Sequence, residues 1–187
     1  MDRQRAGFTL LELLVVMSVV AILMSIMVST IDTRRFQLDS ATKAVRSALV
    51  ASRGGALLRQ HDVVLTFDVS GDRLYVLDDA NNNGSLDSGE QRRMVQLPDE
   101  VKFDRGGADA IGGATDAISL TKESDELPAL WFHRSGAASE EGTLYLTSAR
   151  AAGGNLYPQD TRALRVERGT GRVRCLSYRT GTWVEGC

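Results

Sequence analysis

The chain has 187 residues, a formal net charge of −2 and 25% charged residues, a composition that fits one globular domain with an appendage. This bulk charge gives no sign of a nucleic-acid binder. Glycine is abundant, at 18 residues, which favours a β-rich body with many turns over a helical bundle. The two histidines are isolated and the two cysteines form no CxxC pair, so no metal–thiolate site is expected.

An apolar run begins at Phe8 and continues to about Ile31. As a helix it would reach about 36 Å, enough to cross a bilayer core of about 30 Å. Arg3 and Arg5 precede it and would keep that end in the cytoplasm. No small-residue cleavage site of a secretory signal follows the run. The sequence therefore predicts a transmembrane helix over residues 8–31.

One carboxylate, Glu12, interrupts this apolar run. An acid inside a membrane helix costs about 2.5–3.5 kcal/mol and normally marks a function. If the chain is cut between Gly7 and Phe8, the new amine at Phe8 of a neighbouring copy becomes a natural partner for the Glu12 carboxylate. A plain signal anchor, with Glu12 at the lipid interface, is the alternative, and both interpretations stay open on physical grounds.

Beyond residue 31 the sequence becomes amphipathic, and we predict that residues 32–60 continue the same helix, to about residue 59, packed on a sheet. No proline interrupts residues 8–97. Small and apolar residues recur every three or four positions, as on one face of a helix: Leu38, Ala41, Val45, Ala48, Leu49, Ser52 and Ala56. The opposite face carries charged residues that we interpret as solvated surface: Arg34, Asp39, Lys43, Arg46 and Arg53.

From residue 61 onward the apolar period changes to two. VVLTFDV and RLYVLDD, joined by SGD, indicate a hairpin. Further strands are predicted in QRRMVQL, VKFD, ALWFHRSG, GTLYLTS, RALRVER and GRVRCLSY, and residues 105–128 are interpreted as a mobile loop. One helix followed by antiparallel strands predicts an α+β sandwich, with residues 61–187 as the β domain.

The amino-terminal run GFTLLELLVVMSVVAIL resembles the signal and first helix of type IV prepilins and type II secretion pseudopilins. The resemblance implies that residues 1–7 are a leader, that prepilin peptidase cuts after Gly7 and methylates the Phe8 amine, and that Glu12 guides assembly. It also implies a single-pass protein of the bacterial inner membrane with a periplasmic domain. Other major and minor pilins or pseudopilins are then its partners.

The strand sequences narrow this resemblance. DANNNGSLDSGE, LWFHRSG followed by GTLYLTS, and the closing GRVR are similar to the GspH/FimT group of minor pilins and pseudopilins. Within that group the chain would either serve protein export as the H-type protein of type II secretion or bind DNA for uptake as a FimT-like pilin. A membrane-tethered calcium-binding domain that never polymerises is an interpretation from another class.

The segment DANNNGSLDSGE satisfies the calcium-loop spacing D-x-[DN]-x-[DN]-G-x5-E. Its oxygen-bearing candidates are Asp79, Asn81, Asn83, Asp87 and Glu90, with Gly84 at the turn. The alternative is a polar hairpin in which asparagine and glycine support the turns. Calcium is the one cofactor candidate, and none is required.

Arginines are dense near the carboxyl terminus, where guanidinium groups could grip phosphates and an aromatic ring such as Tyr178 or Trp183 could stack on a base. The candidates for binding double-stranded DNA are Arg168, Gly171, Arg172, Arg174 and Arg179. In FimT proteins a GRxR motif at this place is associated with DNA binding, and Gly171, Arg172 and Arg174 match it. An alternating strand with arginines on its solvated face is the alternative.

The two cysteines, Cys175 and Cys187, would meet an oxidising compartment outside the inner membrane. A disulfide between them would close a loop of about 13 residues and contribute about 3 kcal/mol. The sequence contains no G-x-S-x-G, P-loop or HExxH signature, and we expect neither an enzyme nor a small-molecule substrate.

Overall fold

The structure, a computed structural model, describes residues 8–28, 33–113, 116–154 and 156–187. The chain divides into two compact units with their boundary between Thr33 and Arg34. The first unit contains helix α1 (Leu10–Val28), and the second contains helix α2 (Thr33–Arg59) from Arg34 onward and all the strands. Gly7, the predicted cleavage position, lies outside the described residues.

Helix α1 begins at a side-chain cap. The Thr9 hydroxyl accepts a hydrogen bond from the Glu12 backbone N–H at 3.2 Å, and the Thr9 carbonyl accepts one from the Leu13 N–H at 3.1 Å. The sequence T-x-x-E that includes Thr9 and Glu12 is the pattern of a capping box. An acid in the first turn also suits the positive end of the helix dipole. Large apolar side chains from Phe8 to Met24 are exposed along this unit.

The predicted transmembrane segment, residues 8–31, extends past α1 into residues 29–31, which lie outside the described part of the chain. None of the helices within the described residues is both long and apolar enough to cross a membrane. The single helix predicted over residues 8–59 is described as two helices, and residues 29–32 between them are again outside the description. Whether the helix is continuous therefore stays a prediction.

Helix α2 buries the predicted stripe, with Ala48 only half-buried. Its buried residues are Leu38, Ala41, Thr42, Val45, Leu49, Ser52 and Ala56. The apolar members of this stripe form one hydrophobic core with inward-facing residues of both sheets. Helix α2 is therefore held mainly by burial of one amphipathic face, as its period of three and four predicts.

In the described part of the chain, the first sheet has five strands in the order β3-β2-β1-β6-β5. They are β1 (Asp62–Asp68), β2 (Arg73–Asp79), β3 (Arg92–Gln96), β5 (Glu123–Ser124) and β6 (Leu127–Phe132). The predicted β1–β2 hairpin is confirmed, with Asp68 opposite Arg73 at its turn. Alternate residues of β1 enter the main core, whereas Val64 packs on the other face with Leu77 and Ala129.

The second sheet also has five strands among the described residues, in the order β10-β9-β8-β7-β4. They are β4 (Val101–Lys102), β7 (Gly142–Ser148), β8 (Thr161–Val166), β9 (Val173–Arg179) and β10 (Thr182–Glu185). Pairing of β8 with β9 places Arg165 opposite Arg174. Two antiparallel sheets around one helix confirm the predicted α+β fold of the pilin type.

Residues 105–128 are more ordered than the predicted mobile loop. They contain a 3₁₀ helix (Ile111–Gly113) and strand β5, and they bury Ala108 and Ile118. The Ser119 N–H donates to the Thr143 carbonyl at 2.9 Å, and the Tyr145 N–H donates to the Ala117 carbonyl at 2.8 Å. These bonds place the segment along strand β7, so the interpretation as an unstructured loop is wrong for the described part, which omits residues 114–115.

The first turns of α2 are tied to the β domain by ion pairs. Arg162, itself buried, donates from Nε to the Asp39 carboxylate at 2.9 Å. Arg34 lies 3.7 Å from the Glu100 carboxylate. Positive charge is unfavourable at a helix amino terminus, so this carboxylate offsets the repulsion that Arg34 experiences from the helix dipole. Asp39 and Arg34 thus have acidic or basic partners in the β domain, and Arg34 is also exposed, as the sequence suggested.

Candidate functional site

The GRVR sequence lies where β8 turns into β9. The Gly171 N–H donates to the Glu167 carbonyl at 2.8 Å, and the Glu167 N–H donates to the Arg172 carbonyl at 3.0 Å, which closes the turn. Arg168 and Arg172 are both exposed on this turn. Among the described residues, no carboxylate lies within ion-pair distance of either side chain. The turn therefore presents two unpaired guanidinium groups to solvent.

The next arginines along strands β8 and β9 are neutralised by neighbouring acids. Arg174 contacts the Glu167 carboxylate at 2.9 Å, and Arg165, opposite it on β8, pairs with Glu141. An ion-paired guanidinium adds little to the local positive potential. The two arginines of the GRVR motif therefore differ, since Arg172 is free for an external anion and Arg174 already holds a carboxylate.

Arg179 and the two aromatic residues lie elsewhere. Arg179 is the last residue of β9, about 23 Å from Arg172 along the chain at about 3.3 Å per residue. The Tyr178 hydroxyl donates to the Asp109 carboxylate at 2.7 Å, and this bond raises the pKa of the phenol. Trp183 Nε1 donates to the Asp109 carbonyl at 2.9 Å. Arg179, Tyr178 and Trp183 therefore do not lie with Arg168 and Arg172 at the β8–β9 turn.

Gly171 is fixed by close packing. Its φ is 62°, in the region that favours glycine. A Cβ at this position would overlap the Gly136 carbonyl oxygen and lie 3.0 Å from Cδ of Arg53. Arg53 Nε donates to the same Gly136 carbonyl at 3.1 Å. The backbone conformation and the close packing therefore explain why this position of the motif is glycine, independently of any DNA binding. Sequence reasoning missed Gly136 and Arg53, because nothing local links them to residue 171.

The segment with calcium-loop spacing connects β2 to β3. The Asp79 carboxylate accepts hydrogen bonds from the N–H groups of Asn83 at 3.0 Å and Gly84 at 2.7 Å. The Asp87 carboxylate accepts from the side-chain amides of Asn81 at 2.7 Å and Asn83 at 2.6 Å. These two amide bonds hold the pKa of the Asp87 carboxyl below its usual value. The side-chain amide N–H groups of both asparagines thus point at the Asp87 carboxylate. In a calcium site the same region would be occupied by the cation, with oxygen atoms pointing at it.

Glu90 completes the same pattern. Its carboxylate accepts from the N–H groups of Ala80 at 2.9 Å and Asp87 at 3.0 Å. Within the described residues, no group of three or more His, Cys, Asp or Glu side chains is arranged to hold a metal ion. The calcium hypothesis is therefore not supported, and the loop is a polar hairpin connection whose acids are satisfied by its own N–H groups.

Cys175 and Cys187 form the predicted disulfide, with their Cα atoms 5.8 Å apart. Beside it, the Gly186 N–H donates to the Cys175 carbonyl at 2.8 Å. Cys175 is buried and Cys187 is exposed. The bridge joins the end of β10 to the middle of β9 and so closes the carboxyl-terminal hairpin.

We expect Cys187→Ser to lower the free energy of unfolding by about 3 kcal/mol, because the unfolded chain loses a loop constraint. Cys187 is the better residue to change, since replacing the buried Cys175 could also leave a cavity. Denaturant unfolding under oxidising conditions measures the difference, and the reduced wild type is the matched control. A variant as stable as the oxidised wild type would show that the bridge adds nothing.

At the other end of the chain, Phe8 and Glu12 are exposed at the amino-terminal end of α1. The Glu12 side chain is the one acid of the helix, and it follows the Thr9 cap. A capped apolar helix that presents one exposed acid, together with a second helix inside two antiparallel sheets, defines a pilin-like subunit.

Comparison with known proteins gives the family. Residues 2–28 match the prokaryotic N-terminal methylation motif, and residues 41–170 match the family described as type II transport protein GspH. The chain belongs to the GspH family, a family of structural pilin and pseudopilin subunits and not of enzymes. No curated protein matches the chain significantly.

Two solved structures are similar to this chain, both of the minor pseudopilin EpsH from the type 2 secretion system of Vibrio cholerae. The first is 18% identical with a TM-score of 0.49, and the match covers 74% of this chain and 94% of that one. The second has the same identity and TM-score, and the match covers 76% of this chain and 97% of that one.

Proposed function

We propose that this chain is a minor subunit of a type IV pilus or of a type II secretion pseudopilus. It is made as a precursor, cut by prepilin peptidase between Gly7 and Phe8, and methylated at the new Phe8 amine. The observation that carries this proposal is a methylation motif over residues 2–28 directly ahead of a GspH-family domain. The mature protein is held in the bacterial inner membrane by its first helix, with the β domain in the periplasm.

Assembly follows from the chemistry of the first helix. Its large apolar side chains from Phe8 to Met24 are exposed in the isolated chain, so they require lipid or neighbouring helices as cover. When helices of several subunits pack side by side, the Glu12 carboxylate pairs with the Phe8 amine of a neighbour. This pairing offsets the cost of placing each charge in an apolar environment.

The test of this proposal is incorporation into a filament. The full-length, affinity-tagged chain is expressed with the pilin genes of its own genome and extracted in a mild detergent. We expect other pilins to co-purify and the tagged chain to appear in the sheared filament or pseudopilus fraction. Recovery of the chain alone, in the membrane fraction only, would overturn the proposal.

The second proposed function is binding of double-stranded DNA, with the β8–β9 turn as the binding site. The support is the exposure of Arg168 and Arg172 and the lack of a carboxylate within ion-pair distance of either among the described residues. Guanidinium groups bind phosphate oxygens in a bidentate manner. Contacts of this kind read the DNA backbone and are independent of sequence.

We expect Arg168→Gln/Arg172→Gln to weaken binding to a DNA duplex about tenfold or more at moderate salt. The slope of log affinity against log salt should fall in magnitude by about 2, one unit for each lost phosphate contact. The control is Arg93→Gln/Arg179→Gln, which removes the same charge from exposed sites on β3 and at the far end of β9. If the wild type does not bind DNA even at low salt, the DNA-binding proposal is wrong. The chain would then act in protein export, as a subunit of the type II secretion pseudopilus.

A further inference from the structure

We propose that the DNA-binding surface continues from the β8–β9 turn along the exposed face of helix α2, through Arg53, Arg46 and Lys43. This inference rests on the proposed DNA binding and deepens it, because it assigns an extended path for the duplex backbone. The sequence presents these as two unrelated features, a basic helix face and a carboxyl-terminal arginine group. The structure joins them.

The helix face carries basic residues and no acid. Positions 43, 46, 50, 53 and 57 follow steps of three and four residues, which place them on one side of α2. Lys43, Arg46 and Val50 are exposed, and Arg53 is half-buried. From residue 40 to residue 59 the helix contains no acidic residue. Within the described chain, no carboxylate lies within ion-pair distance of Lys43 or Arg46. The one acid earlier on this side, Asp39, is occupied by Arg162.

The junction with the turn is a set of direct contacts. Arg53 Nε donates to the Gly136 carbonyl at 3.1 Å, and its Cδ lies 3.0 Å from the position that a Cβ of Gly171 would take. The Ala138 N–H donates to the Arg168 carbonyl at 2.8 Å. The segment from residue 134 to residue 138 is thereby fastened to both α2 and the β8–β9 turn.

Three segments that meet at or near this junction carry arginines whose guanidinium groups have no acidic partner within the described chain. Arg134 precedes Gly136 by two residues and is exposed. Gly136 and Ala138 link its segment to α2 and to the turn that carries Arg168 and Arg172. Helix α2 continues the series through Arg46 to Lys43. Among the described residues, no carboxylate lies within ion-pair distance of the guanidinium group of any of these four arginines, and the Asp62 carboxylate accepts the Arg134 backbone N–H at 3.3 Å.

The dimensions fit a nucleic-acid backbone. Residues 43 to 53 span about 15 Å of helix axis at about 1.5 Å per residue. A DNA strand presents one phosphate for about every 3.4 Å of duplex axis, so this face alone runs past several phosphates. A row of arginines and lysines without acids provides backbone contacts, which bind DNA of any sequence.

The decisive variant is Lys43→Gln/Arg46→Gln in the full-length protein in a neutral detergent. We expect its affinity for a duplex of about 25 base pairs, long enough to cover the whole path, to fall several-fold. Its salt slope should fall in magnitude by about 2, as each residue contacts one phosphate. Arg53 is left unchanged, because its bond to Gly136 supports the fold. Arg93→Gln/Arg179→Gln again serves as the charge-matched control, and thermal unfolding checks that each variant is folded.

The outcomes separate the two proposals. If Arg168→Gln/Arg172→Gln weakens binding and Lys43→Gln/Arg46→Gln binds like the wild type, the extended path is wrong and DNA binding by the turn stands. If neither variant changes the affinity, both proposals are wrong. If Lys43→Gln/Arg46→Gln binds DNA normally but loses co-purifying pilins, the helix face is a protein interface and the DNA path is overturned.

Discussion

Replacing Glu12 by alanine is expected to leave the chain in the membrane but to reduce its incorporation into filaments by about 100-fold. The reason is the loss of the partner for a neighbour's Phe8 amine. Removing one member of a buried charge pair costs about 3–5 kcal/mol, because the remaining charge is left uncompensated. The alanine itself is a good helix former, so α1 should persist. Incorporation is measured as co-purification with other pilins, normalised to the amount of chain in the membrane.

The structure supplies controls for this experiment, since Glu12 also takes part in the helix cap. Its N–H is bound by the Thr9 hydroxyl at 3.2 Å. If Glu12 acted only through the cap and the helix dipole, Thr9→Ala would have a comparable effect, at a cost of about 1 kcal/mol. We expect Thr9→Ala to assemble and Glu12→Gln, which keeps the shape and loses the charge, to fail like Glu12→Ala.

If Glu12→Ala is incorporated normally, the proposed pair between Glu12 and a neighbour's Phe8 amine is not needed for assembly. If the wild type also never co-purifies with pilins, the chain is better described as a tethered domain that does not polymerise. Failure of all three variants, including Thr9→Ala, would instead show that the helix cap is the important feature.

Gly171→Ala is expected to lower the free energy of unfolding by several kcal/mol. The left-handed backbone at φ 62° costs a residue with a Cβ about 1–2 kcal/mol. The added Cβ would also overlap the Gly136 carbonyl oxygen, a backbone atom that cannot move without its loop. Relief of that overlap would disturb the bond between Arg53 and Gly136. Thermal or denaturant unfolding of the purified protein measures the loss.

Gly169→Ala is the matched control. Gly169 is exposed on the same turn, and no atom lies within 4 Å of the position that its Cβ would take. We expect this variant to unfold like the wild type. If Gly171→Ala is equally stable, the close contact with Gly136 is not important for the fold. If Gly171→Ala is unstable as expected, any loss of DNA binding in this variant would be a consequence of unfolding. Only the arginine variants would then test direct contacts with DNA.

The regular elements were predictable because their signals are local. The three- and four-residue period of α2, the alternation of β1 and β2, and the SGD turn between them each lie within a short window. The segment 105–128 was not predictable, because its order depends on hydrogen bonds with β7: the Ser119 N–H donates to the Thr143 carbonyl, and the Tyr145 N–H of β7 donates to the Ala117 carbonyl. Such bonds join residues distant in sequence, and a glycine- and aspartate-rich composition gives no sign of them.

The site was predictable only in part, for the same reason. The arginines are visible in the sequence, but their carboxylate partners Glu141 and Glu167 are assigned only by strand pairing and side-chain geometry. The calcium-loop spacing describes residue types, and a self-satisfied turn uses the same types. In that loop the acids accept from backbone and amide N–H groups, as at Asp79 and Asp87, which no spacing rule distinguishes from metal binding.

The most direct test of the central claim is the mass of the mature chain. The full-length protein is expressed in the membrane with and without a prepilin peptidase, purified, and analysed by intact mass and by sequencing of its amino-terminal peptide. We predict a chain that starts at Phe8 and carries an N-methyl group only when the peptidase is present, and no such product from Gly7→Val. A chain that keeps Met1 beside an active peptidase, or that is cut elsewhere, would contradict its identity as a processed pilin-like subunit.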